Sequence, residues 1–174
     1  LVLMGLDSED GKGERVIVGQ RRSIVKPRLT SRADRIVFSS RILPGPPAIF
    51  IVNWDGTGLR QRGDGFAMTL WRNPADGSDW VYAGTENKQY AFARVTRFPI
   101  DAPQQREVVW DKTLVSMEGF SVTPDGRYAG GLWPWPHAGF ADLRSKTWKK
   151  LGEGCWTSLT YARGPLFWYF DGAH

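Results

Sequence analysis

Thr123-Pro124-Asp125-Gly126, followed at once by Arg127-Tyr128-Ala129-Gly130, is the stretch that decides the fold. Pro presets φ for a tight turn and Gly adopts positive φ at little cost, so the first four residues predict a β-turn. The next four predict a short strand, because an aromatic residue among small apolar ones, bounded by turn residues, is typical of strands. The stretch therefore indicates a strand that follows directly on a turn.

The same order of turn and strand occurs at three other places: Thr30–Asp34 before Arg35–Phe38, Asn73–Gly77 before Trp80–Ala83, and Thr160–Gly164 before Leu166–Tyr169. With Val37, Val81, Ala129 and Phe167 taken as equivalent, successive copies lie 44, 48 and 38 residues apart. A period of about 40–50 residues with several strands in each is typical of β-propeller blades. No stretch shows apolar residues at helical spacing over two or three turns. The sequence thus predicts an all-β chain, a β-propeller arc of four-stranded antiparallel blades.

The repeat divides the chain into blades of one propeller domain that covers residues 1–174. We assign three whole blades at about 24–65, 66–112 and 115–152, with half blades at 1–20 and 153–174. The segment Ala48–Val52 is apolar at every position, which a strand requires only where both of its faces are covered. Because both ends fall in mid-blade, we expect an arc of a larger ring. The alternative is a closed four-bladed ring in which the two half blades join.

Two segments resemble the repeats of TolB-like and WD-like propellers. Thr123–Arg127 resembles their Ser-Pro-Asp-Gly-Arg turn, and Ile49–Leu59 resembles their third strand, Asp-Gly turn and fourth strand. The second blade departs from the pattern by an inserted alanine, and the fourth lacks the Pro-Asp-Gly. These signature residues form turns, so the resemblance implies a fold and assigns no catalytic residue. It also implies, by family alone, a periplasmic or extracytoplasmic location.

Composition restricts the classes of function. The net charge is +5, but the basic residues are scattered and many have acidic neighbours, so we expect no nucleic-acid partner. The tightest basic cluster, Lys146–Lys150, is interpreted as a solvated hairpin edge, with a phosphate-binding patch as the alternative.

No apolar run reaches the length of a membrane span. Cys155 is the only cysteine and is predicted to be a small buried strand residue.

The chain carries no motif of a serine nucleophile, a P-loop or a dinucleotide site. The sequence therefore predicts no catalytic residue, no cofactor and no metal site. The candidate ligand-binding residues follow the second strand of the third and fourth blades. They are Trp133, Trp135, His137, Asp171 and His174. Equivalent connections of neighbouring blades emerge on one face of a propeller, so we expect these side chains to share that face.

Two functional interpretations follow. The first is a non-catalytic binding or scaffolding domain that recognises a protein, a peptide or an oligosaccharide. Trp135 favours it, because a ring between Pro134 and Pro136 is held on a stiff segment and aromatic rings suit stacking on ligands. The second is part of a propeller enzyme, either an oligosaccharide lyase or the gating domain of a prolyl-oligopeptidase-like hydrolase. Fold alone does not choose between them.

Overall fold

The computed structural model describes residues 1–6, 9–20, 22–41, 45–88, 91–161 and 165–172. Every regular element in these ranges is a strand, which confirms the all-β prediction. In chain order the strands are β1 (Leu3–Gly5), β2 (Arg15–Val18), β3 (Ser23–Leu29), β4 (Arg35–Arg41), β5 (Pro47–Asn53), β6 (Arg60–Asp64), β7 (Phe66–Arg72), β8 (Asp79–Lys88), β9 (Ala91–Pro99), β10 (Glu107–Trp110), β11 (Val115–Ser116), β12 (Ser121–Val122), β13 (Tyr128–Leu132), β14 (His137–Asp142), β15 (Thr147–Tyr161) and β16 (Pro165–Asp171). Nowhere in these ranges does a helix suited to crossing a membrane occur.

The chain forms two compact units, unit 1 (Leu1–Ala67) and unit 2 (Met68–His174). Unit 1 contains the hairpin β1-β2 and the antiparallel four-stranded sheet β3-β4-β5-β6. Its core joins Leu3, Ile17 and Val18 of the hairpin to buried side chains of the sheet, among them Phe38 and Phe50. The rings of Phe38 and Phe50 stack with centroids 5.7 Å apart. The hairpin and the sheet are therefore held together by apolar burial.

Strand β5 is the most completely buried element of unit 1. Its five inner residues, Ala48–Val52, are all buried. This confirms the prediction that both faces of the strand are covered. The turn after it, Asp55–Gly58, uses positive φ at Gly56 and Gly58. The Asp55 carboxylate accepts hydrogen bonds from the Thr57 hydroxyl at 2.6 Å and from the Thr57 backbone N–H at 2.8 Å, and these bonds lower the pKa of Asp55.

Unit 2 contains two sheets. The first has the strand order β7-β8-β9-β10, with the short β11 pairing on β9, and the second has the order β12-β13-β14-β15-β16. Aromatic rings join the two sheets. Trp110 of β10 lies 4.8 Å from Trp133 at an angle of 69°, and Tyr82 of β8 lies 6.0 Å from Phe120, as measured between ring centroids. All four side chains are almost fully buried.

The repeated turn has one hydrogen-bond pattern in both units. In the copies that begin at Thr30 and Thr123, a buried threonine closes a loop onto the residue five positions later: the Thr30 N–H donates to the Arg35 carbonyl at 3.0 Å, and the Thr123 N–H donates to the Tyr128 carbonyl at 2.9 Å. The threonine hydroxyl accepts the returning N–H, at 3.1 Å from Arg35 and 3.0 Å from Tyr128. The repeat seen in the sequence is thus a repeat of backbone closure.

The hydroxyls also donate to an acid in the turn, from Thr30 to Asp34 at 2.7 Å and from Thr123 to Asp125 at 2.5 Å. In the copy that begins at Asn73, the same backbone bond reaches Ser78 at 2.8 Å, although the hydroxyl is missing. The inserted Ala75 is accommodated there because its N–H donates to the Asn73 side-chain oxygen at 3.1 Å.

Trp71 of β7 packs on the turn of the following sheet. Its indole N–H donates to the Pro124 carbonyl at 2.9 Å, and a Cβ at Gly126 would lie 2.8 Å from the indole ring. The Arg97 guanidinium lies 5.4 Å from the centre of the Trp71 ring and 5.3 Å from that of Trp80. Glycine is therefore needed at position 126 for two reasons: the Trp71 ring lies too close to leave room for a Cβ, and the backbone there has positive φ.

Strand β15 differs from the sequence prediction. The sequence analysis places a boundary between a whole blade that ends at residue 152 and a half blade that begins at residue 153, but β15 runs without a break across it. The glycines at this boundary allow close contact with β16. A Cβ at Gly152 would lie 2.0 Å from the Tyr169 hydroxyl, and one at Gly154 would lie 1.8 Å from the Phe170 carbonyl oxygen. The first part of β15 pairs with β14 and the second with β16.

We predict that replacing Thr123 with valine lowers the free energy of unfolding by about 1–3 kcal/mol, because the Tyr128 N–H loses its acceptor in a buried position. Chemical denaturation of the two proteins measures the difference. The exposed Thr147 is a matched control, and its valine variant should be within about 0.5 kcal/mol of wild type. Equal effects of the two substitutions would contradict the assigned role of the Thr123 hydroxyl.

We also predict a pH-dependent contribution from Asp125. The hydroxyl of Thr123, followed by the Arg127 backbone N–H, lowers the pKa of Asp125 below its ordinary value of 3.8. The folded state therefore gains stability from this carboxylate above pH 3.8, and loses it as the pH falls through the lowered pKa. The stability difference between wild type and Asp125→Asn should thus shrink between about pH 6 and about pH 3. In a Thr123→Val background the shrinkage should be smaller, and an unchanged pH dependence there would contradict the assignment.

Candidate functional site

A groove with a volume of about 870 Å³ opens on unit 2. Four aromatic side chains line it: Trp135, Trp156, Trp168 and Phe170. Each is more than half exposed, from 51% for Trp135 to 69% for Trp156. Soluble proteins rarely expose so many large apolar side chains together unless the surface binds something. The groove is therefore the candidate functional site of the described residues.

Trp135 is held in the turn between β13 and β14. The Trp133 N–H donates to the His137 carbonyl at 2.9 Å and the His137 N–H donates to the Pro134 carbonyl at 2.8 Å, which closes the turn. The Trp135 N–H donates to the hydroxyl of Ser116, a buried residue of β11, at 2.8 Å. These bonds fix the backbone from two sides, so the exposed indole ring loses little freedom when a ligand covers it.

Trp156 occupies a bulge in β15. The pairing register with β16 shifts between Cys155 and Ser158, and Trp156 has a φ of 55°. A bulge redirects a side chain relative to regular pleating, and positive φ in a non-glycine residue is unfavourable. The bulge therefore brings the largest exposed ring of β15 to the wall of the groove.

Trp168 and Phe170 come from β16, where they alternate with Phe167 and Tyr169. Their ring centroids are 6.0 Å apart and the rings are nearly perpendicular, at 88°. Leu166 precedes them at the same spacing and is also exposed. Since side chains alternate between the faces of a strand, the three form one apolar stripe along the outer face of β16.

The segment before β12 forms the opposite wall. The Thr157 hydroxyl of β15 donates to the Gly119 carbonyl at 2.9 Å, and the Leu159 N–H donates to the Ser121 hydroxyl at 3.0 Å. Gly119 has a φ of 73°, and a Cβ there would lie 2.2 Å from the Thr157 hydroxyl oxygen. Glycine at this position therefore allows the wall to lie against β15.

The groove is poor in available polar groups. The hydroxyls of Ser116 and Thr157 are both already hydrogen-bonded to backbone groups. Glu118 is the one ionisable carboxylate among the lining residues, which include no lysine or arginine. Cys155 also lines the groove and is partly exposed, contrary to the prediction that it is buried. The site is thus suited to apolar contact, with one negative charge at its wall.

Trp133 does not belong to this surface, although the sequence placed it among the ligand-binding candidates. Its side chain is only 1% exposed, and its indole N–H donates to the Gly139 carbonyl at 3.0 Å. The ring packs against Trp110, Phe120 and Trp148. Trp133 therefore anchors the turn that presents Trp135, and acts through packing.

His137 is the first residue of β14 and lies opposite Glu153 of β15. Its Nδ1 is 3.6 Å from a Glu153 carboxylate oxygen, and the residue does not line the groove. Lys150 binds the same carboxylate at 2.5 Å. The hydrogen bond and positive charge of Lys150, and to a smaller extent His137, lower the pKa of Glu153. Asp171 is exposed at the end of β16, where it pairs in register with Gly154. His174, the fifth candidate, lies outside the described residues.

The basic cluster Lys146–Lys150 is partly neutralised by acids. Lys146 binds Asp111 at 3.2 Å and Lys150 binds Glu153. Within the described ranges, no group of three or more His, Cys, Asp or Glu side chains is arranged to hold a metal ion.

Sequence reasoning missed Trp156, Trp168 and Phe170 as surface residues. The alternation of Leu166, Trp168 and Phe170 was readable as a strand. A sequence, however, does not tell which face of a strand is covered when both faces are apolar. The bulge at Trp156 left no turn-forming signal that could have revealed it.

Comparison with solved structures identifies the fold. The structure resembles TolB from Acinetobacter baumannii, with a TM-score of 0.61 and 16% identity over 95% of this chain and 42% of that one. A prolyl endopeptidase matches with a TM-score of 0.59 and 12% identity over 93% of this chain and 28% of that one. Oligogalacturonate lyase from Vibrio parahaemolyticus matches with a TM-score of 0.58 and 9% identity over 99% of this chain and 54% of that one.

No protein-family model matches the sequence, and no curated protein matches it. The structural likeness shows that the chain has the fold of a partial TolB-like β-propeller, as the repeat predicted. The chain spans 42% of the TolB structure's length and 28% of the prolyl endopeptidase's. At these identities the likeness identifies the fold and selects no activity.

We predict that Gly119→Ala disrupts the groove wall. It should lower the free energy of unfolding by about 3 kcal/mol or more. The cost of placing a side chain at positive φ adds to the cost of its clash with Thr157. Gly11→Ala is the matched control. Gly11 has nearly the same φ, 72°, but a Cβ there would have no neighbour within 4 Å. The control should lose only about 1–2 kcal/mol. Similar losses in both variants, measured by denaturation, would contradict the close packing of Gly119 on Thr157.

Proposed function

We propose that this propeller arc is a non-catalytic binding module, and that the aromatic groove of unit 2 is its binding surface for a protein or peptide partner. The observation that carries the proposal is the convergence of Trp135, Trp156, Trp168 and Phe170 on one groove, each more than half exposed. Trp in particular is enriched among residues that dominate binding energy at protein interfaces.

The construction of the groove supports binding rather than packing as the role of Trp135. Its backbone N–H is fixed by Ser116, and the turn below it is anchored by the buried ring of Trp133. A turn that only needed to connect β13 with β14 would gain nothing from an exposed indole ring. Rigid presentation of an aromatic ring reduces the entropy lost on association.

The chemistry of the lining supports a binding role over catalysis. The hydroxyls of Ser116 and Thr157 are engaged with backbone groups, and the remaining lining is mainly apolar. General acid–base catalysis needs titratable groups held within hydrogen-bond reach of a reacting atom. The groove instead offers broad apolar contact, which is the chemistry of recognition.

We expect Trp135→Ala to weaken binding of apolar peptides by about tenfold or more, as truncation of a central aromatic contact does at interfaces. Calorimetry with a panel of blocked apolar peptides, and with cellohexaose as an oligosaccharide probe, measures this directly. Val108→Ala is the control, because Val108 is exposed on β10 and does not line the groove.

Cys155 provides a second readout of the same binding. It is the only cysteine and lines the groove, so a bound ligand should slow its alkylation. If peptides bind equally to wild type and Trp135→Ala and leave the alkylation rate of Cys155 unchanged, the groove is not the binding surface and the proposal is wrong.

A further inference from the structure

Two indole N–H groups of the groove are available as hydrogen-bond donors. They belong to Trp135 and Trp156, whose side chains are more than half exposed. Among the described residues, neither of these two indole N–H groups forms a hydrogen bond. The buried Trp110 and Trp133, by contrast, donate theirs to backbone carbonyls at 3.2 Å and 3.0 Å. A ligand in the groove therefore meets two donors that the fold itself does not use.

Both tryptophans are positioned by strands that are paired on both sides. Trp135 lies in the turn between β13 and β14, and β13 pairs with β12 while β14 pairs with β15. Trp156 lies on β15, which pairs with β14 and with β16. The two donors are thus held by the interior of the sheet.

The groove offers few acceptors to balance these donors. Ser116, Glu118 and Thr157 are the lining residues whose side chains carry oxygen. The Ser116 hydroxyl accepts the backbone N–H of Trp135 at 2.8 Å. The Thr157 hydroxyl donates to the Gly119 carbonyl at 2.9 Å, and Glu118 is also engaged with another group of the chain. The side chains of the groove therefore present donors to a ligand, while their oxygen atoms already have partners.

This imbalance restricts the chemistry of the ligand. A buried N–H or hydroxyl that finds no acceptor loses its hydrogen bonds to water, which weakens binding. An ordinary peptide carries one N–H on nearly every residue, and an oligosaccharide carries several hydroxyls on each sugar. Proline has no backbone N–H but keeps its carbonyl, which accepts a hydrogen bond. A proline-rich segment therefore matches the groove, because it brings acceptors and apolar rings without donors.

The conformation of such a segment also suits exposed aromatic rings. Proline-rich chains form the polyproline II helix, with about three residues per turn, a rise of about 3.1 Å per residue and no internal hydrogen bonds. Its carbonyls are free to accept from a binding surface, and aromatic-lined grooves are a recurring site for it. The helix exists before binding, and Trp135 is already held by Ser116. Association therefore costs little conformational entropy on either side.

From these observations we propose that the groove binds a proline-rich segment of a partner protein in the polyproline II conformation, with the indole N–H groups of Trp135 and Trp156 donating to its carbonyls. This inference rests on the proposed function of the groove and specifies its ligand. It assigns the two tryptophans a polar role in addition to their apolar contact.

The test uses the full chain and acetyl-hexaproline amide in calorimetry. In two further peptides the two central prolines are replaced either by alanine or by its isomer N-methylglycine. Both replacements remove the proline rings, but only alanine restores the backbone N–H. We expect the alanine peptide to bind roughly tenfold or more weakly than hexaproline, and the N-methylglycine peptide to stay within about threefold of it.

Variants of the protein test the indole donors directly. Trp135→Phe and Trp156→Phe each keep an apolar ring and remove the N–H, so each should weaken hexaproline binding about fivefold. Trp80→Phe is the matched control, because Trp80 donates its indole N–H to Ser78 and does not line the groove. It should bind as wild type does. In NMR spectra of wild type, hexaproline should move the indole N–H resonances of Trp135 and Trp156 downfield.

Other outcomes separate this inference from the proposed function. If the alanine and N-methylglycine peptides bind equally, or if both tryptophan-to-phenylalanine variants bind hexaproline as wild type does, the donor assignment is wrong. If hexaproline does not bind but other blocked apolar peptides do so in a Trp135-dependent way, the groove binds peptides and this inference alone is overturned. If cellohexaose binds and hexaproline does not, the ligand class is wrong. If no peptide binds in a Trp135-dependent way, both the inference and the proposed function fail.

Discussion

Aromatic packing between the two sheets of unit 2 determines where every element of the groove lies. Trp110 meets Trp133 and Tyr82 meets Phe120, and all four rings are buried. Trp133 in turn anchors the turn that carries Trp135. Phe120 lies between Gly119 and Ser121, which both hydrogen-bond to β15. Apolar burial on this scale is the main favourable contribution to folding, so the groove is a consequence of the core beneath it.

The groove is built from two kinds of residue: those that hold its backbone in place, and those whose exposed rings are available to contact a ligand. Ser116, Gly119 and Thr157 fix backbone geometry through hydrogen bonds or close approach, and the four aromatic rings remain exposed. This division explains why Trp133 and Trp135, two positions apart in the chain, have opposite roles. The first is buried against three other rings, and the second extends from the closed turn.

Much of the fold was readable from the sequence, because its signals are local. The Thr-Pro-Asp-Gly turn, the Asp55–Gly58 turn and the doubly apolar Ala48–Val52 each predict a backbone conformation from a few neighbouring residues. The groove was only partly readable. Trp135 stood out between its prolines, but the positions of Trp156 and Trp168 depend on a bulge and on which face of β16 is covered. Those are properties of tertiary packing, as are the close contacts of Gly152 and Gly154 with β16.

The central claim is that exposed rings of the groove, and not the buried rings of the core, meet a ligand. The most direct measurement is a titration of the chain, labelled with ¹⁵N at its tryptophans, with a blocked apolar peptide, followed through the indole N–H resonances. The account predicts that the resonances of Trp135, Trp156 and Trp168 shift together with one saturation curve, while those of the buried Trp110 and Trp133 move little. Shifts centred on Trp71 and Trp80, or no shift in the three groove resonances at saturating peptide, would contradict it.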